Sequence, residues 1–152
     1  MVAVVVHTEV GSEAGTAAEF QNPASQVSAH FSVGLDGRAT QYVQLTDSAW
    51  ANGILEPGNA WEPVFGAGNP NNRTISIETE DDGQPDSQPV TDEQYASVLA
   101  VARLGLAQWP SITHLASHHA ISPQSRTCPA RRWLDSGRFD RLAADLGLTP
   151  LK

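Results

Sequence analysis

The chain has 152 residues, the length of one ordinary domain, and its 40% hydrophobic and 17% charged residues argue against a wholly disordered chain. A net charge of −8 provides no basic patch for phosphates and speaks against nucleic acid as a partner. The single cysteine excludes an internal disulfide, and no apolar run reaches the ~18 residues of a membrane span.

Val2 to Val6 is a continuous, largely β-branched apolar run and predicts a buried strand that ends at His7-Thr8. It has no basic flank and no cleavage site, so it reads as a strand rather than a signal peptide. The small and polar residues of 8–19 predict at most a short helix around Thr16 to Phe20, with a turn at Asn22-Pro23. His30 to Leu35 alternates and is followed by Asp36-Gly37, a strong hairpin signal, with Ala39 to Leu45 as the return strand. Residues 51–73 are rich in Gly, Pro and Asn and predict a long loop, a feature often tied to function.

Thr74 to Glu80 alternates again, with Ile75 and Ile77 on one face and Ser76, Glu78 and Glu80 on the other. Residues 81–90 read as an acidic surface loop. Thr91 and Gln94 have capping-box spacing, and Tyr95, Val98, Leu99, Ala102 and Leu106 recur at helical spacing, predicting a helix over 92–108. Trp109-Pro110 ends it, and Leu115 sits in a short strand. Residues 117–135 carry most of the reactive residue types, and Arg138 to Leu146 predicts a closing helix with Gly147 just past its end. Strands alternating with helices give an α/β or α+β class built on one central sheet, with 1–152 as a single domain.

Two histidines and one thiolate make a three-ligand zinc set with a fourth position left for water, and His7, His118 and Cys128 offer such a set. The same residues also have plainer readings, since a strand-end histidine is commonly structural and a lone cysteine commonly a small buried hydrophobe. Glu78 suits a general base or a solvated strand carboxylate. With Glu80 it also suits the carboxylate pair of a glycosidase. Arg126, two residues from Cys128, suits an oxyanion stabiliser or a surface cation. A further alternative is a cysteine hydrolase using Cys128 with His118 or His119.

Taken in order along the chain, these motifs resemble the zinc-dependent N-acetylmuramoyl-L-alanine amidases. This is the type-2 amidase domain of phage endolysins, bacterial autolysins, recycling amidases and peptidoglycan recognition proteins. The resemblance rests on Val4-Val5-Val6-His7, Ser28-Ala29-His30-Phe31 leading to Asp36-Gly37, Ala49-Trp50-Ala51-Asn52-Gly53, Asn72 with Ile75-Ser76-Ile77-Glu78, and His118 and Cys128 around an Ile-Ser-Pro loop. It implies a central mixed β-sheet flanked by helices, with a zinc ion in a surface groove. It implies His7, His118 and Cys128 as ligands, Glu78 as the catalytic acid–base, and Arg126 where the family usually has Lys. Arg keeps the charge but does not donate a proton. Ala29 stands where some members have a Tyr, and Ala51 where many have a His; His30, Trp50 and Asn52 are expected along the groove.

The implied reaction is hydrolysis of the amide between N-acetylmuramic acid and L-alanine in peptidoglycan, as in cell-wall lysis by an endolysin. The alternative is a non-catalytic peptidoglycan-binding protein. A monomer is expected, with a separate wall-binding domain as a possible companion. The expected route to the wall is a holin for a phage lysin, or export for a domain cut from a larger autolysin.

Overall fold

A computed structural model of the chain describes residues 1–81 and 88–152. Most of the expected acidic loop, residues 82–87, therefore lies outside the described residues. Six strands, β1 (Ala3–Val6), β2 (Phe31–Val33), β3 (Ala39–Gln41), β4 (Thr74–Thr79), β5 (His114–Ser117) and β6 (Thr149–Leu151), form one sheet in the order β3-β2-β4-β1-β5-β6. Only the β2–β3 pair is antiparallel. The central mixed sheet flanked by helices is the α/β architecture expected from the sequence.

The β-branched run of β1 fits the centre of the sheet, where both faces are covered and no side chain needs water. Val4, Val6, Ile75, Ile77 and Leu115 point to one face and form the larger core. Packed on them are α3 (Asp92–Gln108), through Tyr95, Val98 and Ala102, and α5 (Arg138–Leu146), through Phe139 and Leu142. Trp133, from a π-helical turn at Ala130–Asp135, completes that core. The opposite face carries Ala3, Val5 and Ala116, covered by Phe65 of α2 (Glu62–Phe65), by Ala120 and Ile121 of α4 (His118–Ile121), and by Leu151.

The local signals explain several boundaries. Thr91 caps α3 by accepting from the Gln94 N–H at 3.0 Å, half of the expected capping box. The Gln94 side chain turns inward instead, donating to the carbonyls of Val33 and Glu80. Gly37 sits at φ +81°, and a Cβ there would lie 2.9 Å from the Glu93 carbonyl oxygen, so the β2–β3 turn requires glycine. Gly147 ends α5 in the left-handed conformation, as its position predicts.

Other elements depart from expectation. Helix α1 spans Glu13–Gln21, longer than the short helix expected, with Ser12 as its N-cap. The 51–73 segment is not all loop, since it holds α2 and a 3₁₀ turn at Pro70–Arg73. The return strand stops at Gln41 rather than Leu45. Strand β6 follows the closing helix and contains Pro150; it lies at the sheet edge, where a missing N–H costs no ladder bond.

Candidate functional site

Register brings the site together. Val6 pairs with Ile77 on one side and with Ser117 on the other. The next residues of these three neighbouring parallel strands are His7, Glu78 and His118, so all three stand at one level, at the carboxyl ends where open α/β sheets place ligands. Side-chain alternation then turns them to the face of Ala3, Val5 and Ala116 rather than into the larger core. The Ser122–Cys128 loop closes over this edge and brings Cys128 to it.

A cleft of about 430 Å³ opens there, large enough for a small ligand. His7, Glu78, His118, Arg126 and Cys128 line it, and Val27 and Trp50 form an apolar wall. A second arm runs on from the same residues past Gly53, Glu56, Asn69 and Asn71. Trp50 is 57% exposed, which is far from the buried state usual for tryptophan.

One ligating atom each from His7, His118 and Cys128 lies within 4.8 Å of the others. His7 Nδ1 and His118 Nδ1 are 3.1 Å apart. The sulfur accepts the Thr8 backbone N–H at 3.0 Å, a contact that favours thiolate. Burial and the Arg126 guanidinium push the His118 pKa down to about 4; burial and His118 hold that of His7 well below the ordinary histidine range. Both rings are thus neutral at pH 7, the state a metal needs. Two neutral nitrogens and a soft sulfur meeting at one point suit zinc.

Glu78 stands beside this set, its Oε1 3.8 Å from His7 Nδ1, with its side chain 15% exposed. Burial, with the Glu9 carboxylate adding to it, raises its pKa to about 8. Its Oε2 is enclosed without a hydrogen-bond partner among the described residues. The paired-carboxylate alternative fails on geometry. Glu80 accepts the backbone N–H groups of Glu13 and Leu35 on its two oxygens and bonds the first turn of α1 instead of lining the cleft.

The remaining histidines and Asn52 differ in place from simple expectation. His30 is fully buried and does not line the cleft; its Nδ1 accepts from the Ser76 N–H and its Nε2 donates to the Asp47 carbonyl, which braces β2 against β4. Asn52 borders the second arm but is itself 0% exposed, behind the histidines rather than on the groove surface. His119 donates from its ring to the Arg126 carbonyl and from its backbone to the Cys128 carbonyl, holding the loop that carries both.

Sequence reasoning misses Glu9, which is 8% exposed and accepts a hydrogen bond from Ser32, and Glu56, whose carboxylate accepts from Gln124 N–H and Ser125 Oγ and ties that loop to the 51–73 segment. Neither residue lies in a periodic pattern. Only the following of the apolar strand by His-Thr-Glu hints at the first.

A family model described as N-acetylmuramoyl-L-alanine amidase matches residues 1–131. The 1,6-anhydro-N-acetylmuramyl-L-alanine amidase AmpD of Haemophilus influenzae is 32% identical over 108 residues, 70% of this chain and 53% of that protein. AmpD of Salmonella typhimurium is 32% identical over 120 residues, 78% of this chain and 58% of its own length. The chain thus spans little more than half the length of these relatives. The crystal structure of a selenomethionine AmpD derivative superposes with a TM-score of 0.72 at 27% identity, covering 93% of this chain and 83% of that one. AmiD from E. coli, solved in complex with the substrate anhydro-N-acetylmuramic acid-L-Ala-D-gamma-Glu-L-Lys, shares the fold with a TM-score of 0.79 at 24% identity, covering 98% of this chain and 58% of that one. Because the family match runs unbroken from the first strand through the loop of Cys128, the chain belongs to the N-acetylmuramoyl-L-alanine amidase family.

Proposed function

We propose that this chain hydrolyses the amide between the lactyl group of N-acetylmuramic acid and the L-alanine of the peptidoglycan stem peptide, with zinc held by His7, His118 and Cys128. The observation that carries the reading is the convergence of these three ligand atoms within 4.8 Å on the cleft floor, with Glu78 beside them. When bound, zinc supplies a Lewis acid for the scissile carbonyl and lowers the pKa of water from about 15.7 toward about 7.

The chain's own residues do the rest. Glu78 takes a proton from water and delivers it to the leaving alanine nitrogen. A pKa held high by burial suits the delivering step. Arg126, on the cleft rim, stabilises the oxyanion that forms on the carbonyl and keeps its own proton throughout. Trp50 and Val27 offer an apolar wall to the sugar ring or the peptide.

The setting we assign is lysis of intact cell wall, as for an endolysin. A second reading comes from the AmpD relatives, whose name specifies a 1,6-anhydro-N-acetylmuramyl substrate. One assay addresses both. Intact peptidoglycan and soluble anhydromuramyl peptide are incubated with the protein, and new L-alanine amino termini are counted with and without a zinc chelator. The proposal predicts amines from intact wall that vanish on chelation and return with zinc. Amines only from the soluble peptide favour the second reading, and no amines from either substrate contradict both. New reducing ends in place of amines would indicate a glycosidase.

A further inference from the structure

The geometry points to Asn52 as a positioning residue that sets the tautomer of His7, so that His7 Nδ1 is left bare on the side of the other ligands. This inference rests on the zinc reading above for its consequence, though its structural part stands without metal.

The hydrogen bonds leave one arrangement. Thr74 Oγ1 donates its only proton to the Pro70 carbonyl at 3.1 Å. It therefore accepts from Asn52 Nδ2, at 2.8 Å, and Ser76 Oγ lies 3.3 Å from the same nitrogen. The amide of Asn52 is thereby fixed, with Oδ1 facing His7 Nε2 at 2.9 Å. An amide oxygen only accepts, so Nε2 carries the proton of the neutral ring and Nδ1 is left bare. That Nδ1 is the atom facing His118 Nδ1 at 3.1 Å.

A bare His7 Nδ1 at this distance either accepts from a protonated His118 Nδ1 or shares a cation with a bare one. Asn52 is itself held. Asn71 Oδ1 accepts from the N–H groups of Ala51 and Asn52 at 3.2 and 2.8 Å, and Asn71 Nδ2 donates to the Gly53 carbonyl at 3.1 Å. Asn71 in turn donates its backbone N–H to Asn69 Oδ1 at 2.9 Å. The Asn-rich segment thus forms a bracket behind the ligands, and Asn52 is the member that touches His7.

The test compares wild type with Asn52→Leu and Asn52→Asp. In zinc-free protein, long-range proton–nitrogen correlations on labelled histidine read the tautomer of each ring, and competition with a chromogenic chelator reads the zinc dissociation constant. Wild type is expected to show His7 protonated on Nε2. Asn52→Leu loses the fixed tautomer and weakens zinc binding by about 10–100-fold. Asn52→Asp keeps an acceptor for Nε2–H, with the Ser76 hydroxyl turned to donate, and stays within a few-fold of wild type.

A folded Asn52→Leu with wild-type tautomers and zinc affinity overturns the inference. If that variant does not fold, two results still decide: His7 protonated on Nδ1 in wild type, or Asn52→Asp losing zinc as badly as His7→Ala, overturns it. Wild type that binds no zinc while His7 carries its proton on Nε2 contradicts the proposed function and leaves the tautomer assignment standing.

Discussion

Glu78 and His7 touch at 3.8 Å, yet in the metal-free site neither is charged at neutral pH, because burial opposes the ionised form of each. The consequence for stability has a definite sign. Burial raises the Glu78 pKa from its ordinary 4.5 to about 8, so the stability this group confers is whole below about pH 4.5 and is lost as pH rises toward 8. Gln at 78 is never ionised. The zinc-free Glu78→Gln variant should therefore gain in melting temperature over wild type between about pH 5 and pH 9, and an unchanged difference across that range contradicts the buried-acid account. On the reaction, the same variant should lose on the order of 10²–10⁴-fold in kcat with little change in zinc content. Arg126→Ala should lose on the order of 10²–10³-fold in kcat, and Arg126→Lys should restore most of it. If Lys fails where Arg succeeds, the guanidinium fork rather than its charge is what the site uses. His7 was legible because it follows the apolar β1 run, Glu78 because it stands on the polar face of the alternating β4, and His118 and Cys128 because they bracket the Ile-Ser-Pro loop. Asn52 was named through the resemblance, but as a groove residue; its buried role behind His7, and Asn71 altogether, were not legible, since a polar residue in a Gly- and Asn-rich segment carries no periodicity, and its partners lie about 20 residues away or more.

Among the elements, β4 carries the most responsibility, because its end positions Glu78 while its next residues enter a buried polar network. Arg132, from the π-helical turn, reaches Asp81 at 3.3 Å and the Thr79 carbonyl at 3.2 Å, and donates to Gln94 Oε1 at 2.8 Å. Both charged side chains are essentially closed to solvent, at 1% and 0% exposure. Removing one partner of such a pair strands the other charge, so Arg132→Ala should cost about 3–5 kcal/mol in denaturant unfolding. A cost below about 1 kcal/mol would show that the network is not needed to hold β4. The strongly patterned elements were legible: the apolar β1, the amphipathic α3 with its Thr91 cap, and α5 closed by Gly147. The weakly patterned ones were not. Helix α1 buries none of its residues completely, so it has no apolar stripe to find. Strand β6 is three residues long and contains a proline, which only its edge position tolerates.

Across the whole molecule, one sheet has two unequal faces. The face with Val4, Val6, Ile75 and Ile77 builds most of the core. The other, lined by Ala3, Val5 and Ala116, is thin and leaves the strand ends open to the cleft. Three neighbouring strands end in chemically active residues at one level, so the metal set is assembled only when the sheet has its register. Zinc should then stabilise the fold as a whole, by about 4 kcal/mol at free zinc ~1,000 times its dissociation constant, and a calorimetric melt with and without chelator would show it. A net charge of −8 gives the chain no electrostatic attraction to anionic polymers. Whether His7, His118 and Cys128 together bind one metal ion is decided by cobalt substitution, because cobalt reports its ligands in its absorption spectrum. One cobalt per chain is expected, in a four-coordinate site with a thiolate charge-transfer band, the band abolished by Cys128→Ser and binding abolished by His7→Ala. A bound cobalt whose spectrum is unchanged in Cys128→Ser, or no specific binding by wild type, would contradict this shared site.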